Sequence, residues 1–449
     1  MGVVVSKSKI FQSLAVIVLT SLKASLTTLT ATLTTRLTTR LTTGLTITST
    51  IVTLGVFSSL AYSADNFIDA LSNGKTKADF RLRLEDVDTA ANDATAMTLR
   101  SRLNYTTDSY QQFSATIEVE DVRSVLGVDS YSVPQTGFNS GEHAVIPDPE
   151  VTELEQAYLQ YKDAKLTAKL GRQLITLDDH RFVGHVGWRQ DRQTFDAARL
   201  QMSPAEGLNL DLSYIYKRNR IFAEALDAKA DDLLLNLNYS CSHGKLTTYA
   251  YLLDDETLNR QSDTYGIQFS GQRDTETASV HYKAAFATQQ ATQSGVEYDP
   301  NYLLLEGGVA IIDMDINVAY EVLGSDNGQA SFTTPLATLH KFNGWADVFV
   351  ASTFTATALP LGLIDTSVSI SGKTSGKTGS KMPGIKWSAV FHSYDSDQGS
   401  VDYGSEFDLV ASMKFNKHYS GGIKYASYNA DSFSVDTDKF WLWVGLSLF

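Results

Sequence analysis

Arginine side chains recur at alternate positions in two nearby segments of the chain. One residue separates Arg81 from Arg83, and one separates Arg100 from Arg102. Residues two apart in a β-strand lie on the same face, so two paired strands would carry these guanidinium groups as a ladder. A guanidinium group binds a carboxylate through two parallel hydrogen bonds. The spacing therefore predicts a row of weak sites for an anionic solute.

Other charged residues fall on the same face by strand parity. The candidate solute path comprises Arg81, Arg83, Arg100, Arg102, Glu118, Glu120, Lys169, Arg172 and Arg199. The glutamates leave a second interpretation open, in which acids and bases pair across the path and brace the wall without binding any particular solute. The sequence does not decide between these two hypotheses.

Alternating segments along the chain predict the strands that position these residues. Apolar and polar side chains alternate in residues 80–85, 99–105, 115–120, 208–217 and 278–286. A transmembrane β-strand needs about ten such residues, with one face toward lipid and the other toward the lumen. Strands of a soluble sandwich are shorter, with about five or six residues. The pattern therefore predicts an all-β fold, a transmembrane antiparallel β-barrel.

Short and long connections take turns between these segments, as in outer-membrane barrels. The long stretches are residues 124–150, 174–193, 218–231 and 288–299. If residues 324–360 form one long external excursion, the barrel has about 18 strands, an even number that places both termini in the periplasm. A further strand at residues 348–357 would make the number odd.

The excursion at residues 324–360 is the candidate constriction. It contains TLHKFNGWAD at residues 338–347, which is apolar and aromatic enough to fold into the lumen. Long loops of this kind are usually functional or disordered. We expect His340, Lys341, Trp345 and Asp347 to narrow the channel. Residues 372–384, rich in Gly, Ser and Lys, are interpreted as a periplasmic linker in preference to a gate.

Residues 1–64 are interpreted as an export signal with a threonine-rich, low-complexity middle, and residues 65–449 as the barrel. Lys7 and Lys9 precede an apolar run, and Ala61 and Ser63 offer the small residues of a cleavage site. This leader has basic residues but no acidic ones, so the remainder is more acidic than the full chain, whose net charge is -14. That balance disfavours a nucleic-acid partner.

The sequence gives little support for a catalytic site or a metal-binding site. The single Cys241 cannot form an intrachain disulfide. Asp178, Asp179, His180 and His185 could hold a divalent cation, but on a polar loop such residues more often form hydrogen bonds and ion pairs. We therefore expect no enzyme, no cofactor and no metal.

The chain ends in an apolar segment, residues 440–449, with an aromatic last residue. Phe449 resembles the signal by which the barrel-insertion machinery recognises outer-membrane proteins. We therefore expect that machinery and the lipid of a bacterial outer membrane as partners.

An ordered series of segments resembles the alginate export family of outer-membrane proteins. The series comprises VIPDPE at 145–150, EQAYL at 155–159, GRQ at 171–173, DDHRFVG at 178–184, GWRQ at 187–190, QTFDA at 193–197 and PLATLHKFNGWAD at 335–347. The resemblance implies an 18-stranded barrel with a charged lumen and passive passage of a polar solute of carbohydrate type, in alginate exporters proper a polyuronate. Small-solute uptake through the same architecture fits equally well. The alternative is a non-transporting barrel that acts as an adhesin or receptor through its external loops.

Overall fold

The structure is a computed structural model that describes residues 66–293, 295–374 and 384–448. The predicted leader, Phe449 and most of the segment 372–384 lie outside the described residues. The 18 long strands are β1 (Lys75–Thr89), β2 (Asp93–Thr106), β3 (Phe113–Ser130), β4 (Val151–Lys162), β5 (Leu166–Gln173), β6 (Thr194–Ala205), β7 (Leu208–Asn219), β8 (Ala228–Cys241), β9 (Gly244–Asp255), β10 (Arg260–Asp274), β11 (Ser279–Gln293), β12 (Asn301–Ile311), β13 (Met314–Leu323), β14 (Leu363–Lys373), β15 (Lys386–Asp395), β16 (Asp402–Lys414), β17 (Tyr419–Ala430) and β18 (Thr437–Leu448).

The remaining elements are short. They are the helices α1 (Phe67–Ser72) and α2 (Val350–Phe354), the 3-10 turns Pro134–Thr136 and Leu339–Lys341, and the strands Val296–Tyr298, Ser325–Asp326 and Ala330–Ser331. None of the helices in the described ranges is long and apolar enough to cross a membrane.

The sheet closes on itself. Each strand pairs antiparallel with the next, and β1 also pairs with β18, from Ala78 opposite Leu448 to Thr89 opposite Thr437. Closure pairs the backbone groups that an open edge would expose. The predicted closed antiparallel barrel of 18 strands is thereby confirmed. Residues 348–357 contain α2 instead of a strand, which keeps the strand number even.

Alternation separates the two faces of the wall. Leu103, Ile117 and Val119 are exposed on the outside, whereas Arg102 and Glu120, on the same strands, are buried. This is the arrangement that a lipid-facing band requires, because a charged side chain on that band costs several kcal/mol. The polar residues therefore line the interior.

The connections differ in length between the two ends of the barrel. Residues 163–165 and 242–243 belong to the short-turn end, whereas residues 131–150, 174–193 and 324–362 belong to the long-loop end. Three predicted loops are wrong in their bounds, because β3 continues to Ser130, β7 to Asn219 and β11 to Gln293. The connections that follow these strands are correspondingly shorter: residues 131–150, residues 220–227 and the stretch between Gln293 and Asn301.

Candidate functional site

Two long connections enter the barrel and meet inside it. We name residues 174–193 the first inward segment and residues 324–362 the second inward segment. The first segment contacts β1, β8 and β13, which lie on different sides of the wall, through Trp188, Asp178 and Arg181. The amide of Gly184 donates to the carbonyl oxygen of Leu336 at 2.8 Å and so joins the two segments. Together they constrict the lumen.

Apolar side chains form the centre of this constriction. Val183 and Leu336 from the segments are buried, and so are Tyr249 and Tyr302 from the wall. The ring of Phe182 packs against the rings of Tyr249 and Tyr302, with centroids 5.0 Å and 5.3 Å away. Such packing gives the segments a defined position, because aromatic pairs add to the free energy of apolar burial.

The predicted arginine ladder contacts the first inward segment. Arg81 donates to the backbone oxygens of Trp188 at 2.8 Å and Arg189 at 2.6 Å. Arg83 donates to the same oxygen of Trp188 and also pairs with Asp148. Arg81 and Arg83 therefore anchor the backbone of the first inward segment at the constriction.

The other two members of the ladder pair with acids of the wall. Arg100 contacts Asp79, and Arg102 contacts Glu120. Arg102 also donates to the backbone oxygen of Gln190 at 2.9 Å. Glu118 accepts hydrogen bonds from Asn104 and Gln156. This geometry matches the interpretation in which opposite charges brace the wall.

The predicted basic residues on β5 and β6 lie at different levels: Arg199 faces the short-turn end, with Lys169 opposite it, whereas Arg172 lies next to the first inward segment. Arg172 pairs with Asp196 at 2.8 Å, and Arg199 pairs with Asp211 at 2.5 Å. Lys169 stands opposite Arg199, with its ammonium group 4.5 Å from the centre of the Tyr158 ring. Among the described residues, no carboxylate forms an ion pair with Lys169.

A cavity of about 590 Å³ lies between this wall and the turns of the short-turn end. Its lining includes Lys165, Asp178, Arg199, Asp211 and Lys245. Charges of both signs therefore face a space large enough for a small polar solute.

The predicted constriction residues belong to the second inward segment. Neutral His340 can satisfy both of its contacts, donating from Nδ1 to Asp347 at 2.8 Å and accepting at Nε2 from Lys424 at 2.7 Å. Burial lowers the pKa of His340 to about 3, which keeps the ring neutral. Lys341 donates to the backbone oxygen of Asp179 at 2.8 Å. Trp345 covers the ammonium group of Lys424 at 3.8 Å.

Arginines at the long-loop end were missed by the sequence analysis. Arg218 forms ion pairs with Asp232 at 2.7 Å and Asp255 at 3.0 Å. Arg220 donates to the backbone oxygen of Pro335 at 2.8 Å, and Arg260 to that of Phe354 at 2.5 Å. Within the described part of the chain, no carboxylate forms an ion pair with the side chain of either Arg220 or Arg260.

The space beside these arginines is narrow. Arg218, Arg260, Pro335 and Phe354 line a cleft of about 30 Å³, which is the room of one water molecule. The second inward segment therefore leaves little space beside these arginines.

The acidic loop residues considered for metal binding point to different partners. Asp178 pairs with Lys245 at 3.0 Å, and Asp179 contacts Lys283. The rings of His180 and His185 meet edge to face, with centroids 5.3 Å apart. This arrangement is the hydrogen-bonded and ion-paired cluster of the alternative interpretation.

Solved structures with the same fold include proteins of Acinetobacter baumannii and Pseudomonas aeruginosa. Acinetobacter baumannii OccAB1 has a TM-score of 0.66 and 12% identity, covering 87% of this chain and 100% of that one. Pseudomonas aeruginosa OpdK, solved with vanillate, has a TM-score of 0.65 and 13% identity, covering 84% of this chain and 99% of that one. Pseudomonas aeruginosa OccK11 has a TM-score of 0.62 and 13% identity, covering 85% and 97%.

Sequence comparison adds the family. No curated protein sequence matches the chain. The family model described as alginate export matches residues 73–322, which is more than half of the chain. The chain therefore belongs to the alginate export family, and it is a β-barrel protein of the bacterial outer membrane.

Proposed function

We propose that the protein is a diffusion channel for small carboxylate-bearing solutes, with sugar acids as the carbohydrate-type members of that class. One observation carries the proposal: basic side chains without a carboxylate partner among the described residues occur on both sides of the constriction. Arg220 and Arg260 lie toward the long-loop end, and Lys169 lies near the short-turn cavity. The protein acts in transport and not as an enzyme in this proposal.

Arg220 and Arg260 donate to neutral oxygens of the second inward segment. A carboxylate attracts a guanidinium group through its charge and can accept two parallel hydrogen bonds from it, whereas a backbone oxygen carries no net charge. An entering carboxylate can therefore replace the oxygens of Pro335 and Phe354. This exchange would loosen the second inward segment and widen the cleft of about 30 Å³ as the solute enters.

Near the short-turn end, the path offers weaker binding sites for an anion. Arg199 already pairs with Asp211, so a passing anion competes with a carboxylate of the wall. Lys169 stands opposite Arg199, and its ammonium group has no carboxylate partner in the part of the chain that the structure describes. Conduction requires such weak, successive sites, because a tightly bound solute does not leave. OpdK, with the same fold, has been solved with vanillate, a carboxylate.

Liposome swelling tests the solute class. Liposomes that contain the refolded protein should admit glucuronate faster than glucose. An Arg220→Gln/Arg260→Gln double variant should lose this preference, whereas Arg273→Gln, an exposed arginine at the short-turn end of β10, should retain it. Faster entry of glucose into wild-type liposomes would contradict the proposal. Absence of swelling with either solute would instead favour the barrel that acts through its external loops.

A further inference from the structure

Four carboxyl groups meet inside the wall beside the first inward segment. Glu120 lies on β3, Glu153 and Glu155 lie on β4, and Asp191 belongs to the segment. One oxygen from each group lies within 4.8 Å of the others. Glu120, Glu155 and Asp191 are at most 1% exposed. We name these residues the carboxylate cluster.

A β-bulge adds one of these groups. Glu118 pairs with Gln156 and Val119 with Leu154, so Glu155 is the extra residue of β4. Strict alternation from outward-facing Leu154 points Glu155 inward, and the bulge lets Gln156 point inward as well, where it donates to Glu118. Bulges re-aim side chains near functional sites. Here the bulge retains Glu155 next to Glu153, although like charges repel.

The cations near the cluster do not balance it. Arg102 contacts one oxygen of Glu120, and Arg192 contacts one oxygen of Glu155. Arg192 is shared with Glu118. Four carboxyl groups therefore face two guanidinium groups, so that with all four ionised at least two negative charges have no cationic partner among the described residues. Burying such charge without compensation costs several kcal/mol per ion.

Several cluster oxygens also lack a donor. Within the described residues, no hydrogen-bond donor reaches Oε1 of Glu120, Oε2 of Glu155 or either carboxylate oxygen of Asp191. Asp191 is fully buried, so bulk water does not reach its oxygens to supply the missing donors. Buried polar atoms are nearly always satisfied in native proteins, by a donor, an ordered water or an ion. Asp191 in particular is aimed into the cluster, where its carboxylate faces the carboxyl group of Glu153 and, among the described residues, no donor from outside the cluster.

We propose that the carboxylate cluster binds one calcium ion, which links the first inward segment to the wall at β3 and β4. Calcium takes oxygen ligands at about 2.3 to 2.6 Å, and ligands on opposite sides of the ion are then about 4.8 Å apart. The four oxygens of the cluster lie within 4.8 Å of one another and so meet that limit. A divalent charge also matches the two uncompensated negative charges. Magnesium fits less well, because it demands a nearly ideal octahedron and retains its water.

Equilibrium dialysis with radioactive calcium tests the proposal on refolded protein, which carries no lipopolysaccharide. Wild-type protein should bind one calcium ion per chain in the presence of excess magnesium. Asp191→Asn and Glu153→Gln should each weaken binding by about tenfold or more. Glu142→Gln is the control, since it removes an exposed carboxylate in the connection between β3 and β4 outside the cluster, and it should leave binding unchanged.

Two outcomes would overturn the calcium site. Wild-type protein that binds no calcium at millimolar concentration would show that protons neutralise the cluster instead. Binding that is equal in wild-type, Asp191→Asn and Glu153→Gln proteins would place calcium elsewhere on the acidic surface. The slower migration of boiled samples on gels, compared with unboiled ones, establishes that each variant is folded before dialysis.

Discussion

The ammonium group of Lys424 lies 3.8 Å from the centre of the Trp345 ring. Trp345 belongs to the second inward segment and Lys424 to β17. The ring of Trp188, from the first inward segment, lies 4.4 Å from the same ammonium group. One wall residue therefore holds both inward segments by cation–π contacts, which contribute about 2 kcal/mol when they are desolvated.

Replacing Lys424 should loosen the constriction. In Lys424→Met the two tryptophans lose their common cation and His340 loses its donor, so both segments detach more often. We expect more frequent and larger openings in single-channel recordings than in wild type. Lys417→Met, at an exposed turn position, should behave as wild type. Equal opening frequencies in Lys424→Met and wild type would show that Lys424 does not hold the segments.

Acid should destabilise the protein through His340. Its pKa is about 3 in the folded protein and about 6.5 in an unfolded chain. Between these values the unfolded chain binds more protons, so the free energy of unfolding falls as the pH falls from about 6.5 toward 3. The contribution reaches about 1.4 kcal/mol per pH unit.

The variant His340→Gln isolates this contribution. A glutamine amide can donate to Asp347 and accept from Lys424 without titrating. Urea unfolding of both proteins at a series of pH values should therefore give a shallower decline for the variant. Parallel curves would mean that His340 does not remain neutral in the folded protein.

Arg181 should contribute strongly to stability. It is 2% exposed and donates to Glu321 at 2.7 Å and to Asn343 at 2.9 Å. Arg181→Met leaves the Glu321 carboxylate buried without its cation, a change that costs about 3 to 5 kcal/mol. Urea unfolding in detergent measures the loss.

Arg123→Met provides the comparison for Arg181. The side chain of Arg123 is 46% exposed and pairs with Asp121 at 2.8 Å. An exposed ion pair contributes about 1 kcal/mol or less. Similar losses in Arg123→Met and Arg181→Met would contradict the assignment of Arg181 as a buried link between the first inward segment and β13.

Period-two alternation was sufficient to predict the barrel, because every strand must separate a lipid face from a polar face. It failed where a bulge changes parity. Ile215 pairs with Ala197 and Lys217 with Asp196, so Tyr216 is an extra residue on β7. Strict counting from the apolar Leu208 and Leu210 places Arg218 outside, whereas it is 2% exposed inside. No sequence signal at Tyr216 announces the bulge.

The sequence also did not predict which groups the arginine ladder contacts. Strand parity predicted that Arg81 and Arg83 share a face, but the backbone oxygen of Trp188 that both contact lies more than 100 residues along the chain. Every residue has a backbone oxygen, so side-chain types do not reveal which of these oxygens accepts a hydrogen bond. The inward fold of residues 338–347 was signalled by Trp345 and Phe342, whereas the contact with Lys424 required the tertiary structure.

Ion selectivity across a planar bilayer tests the central claim most directly. The reversal potential of wild-type protein in a potassium chloride gradient should show a preference for chloride, and Arg220→Gln/Arg260→Gln should reduce that preference. Arg220 and Arg260 have no carboxylate ion-pair partner within the described residues, so their charge is available to a passing anion. A preference for potassium in wild type, or silence at every voltage from protein that is folded and inserted, would contradict the account.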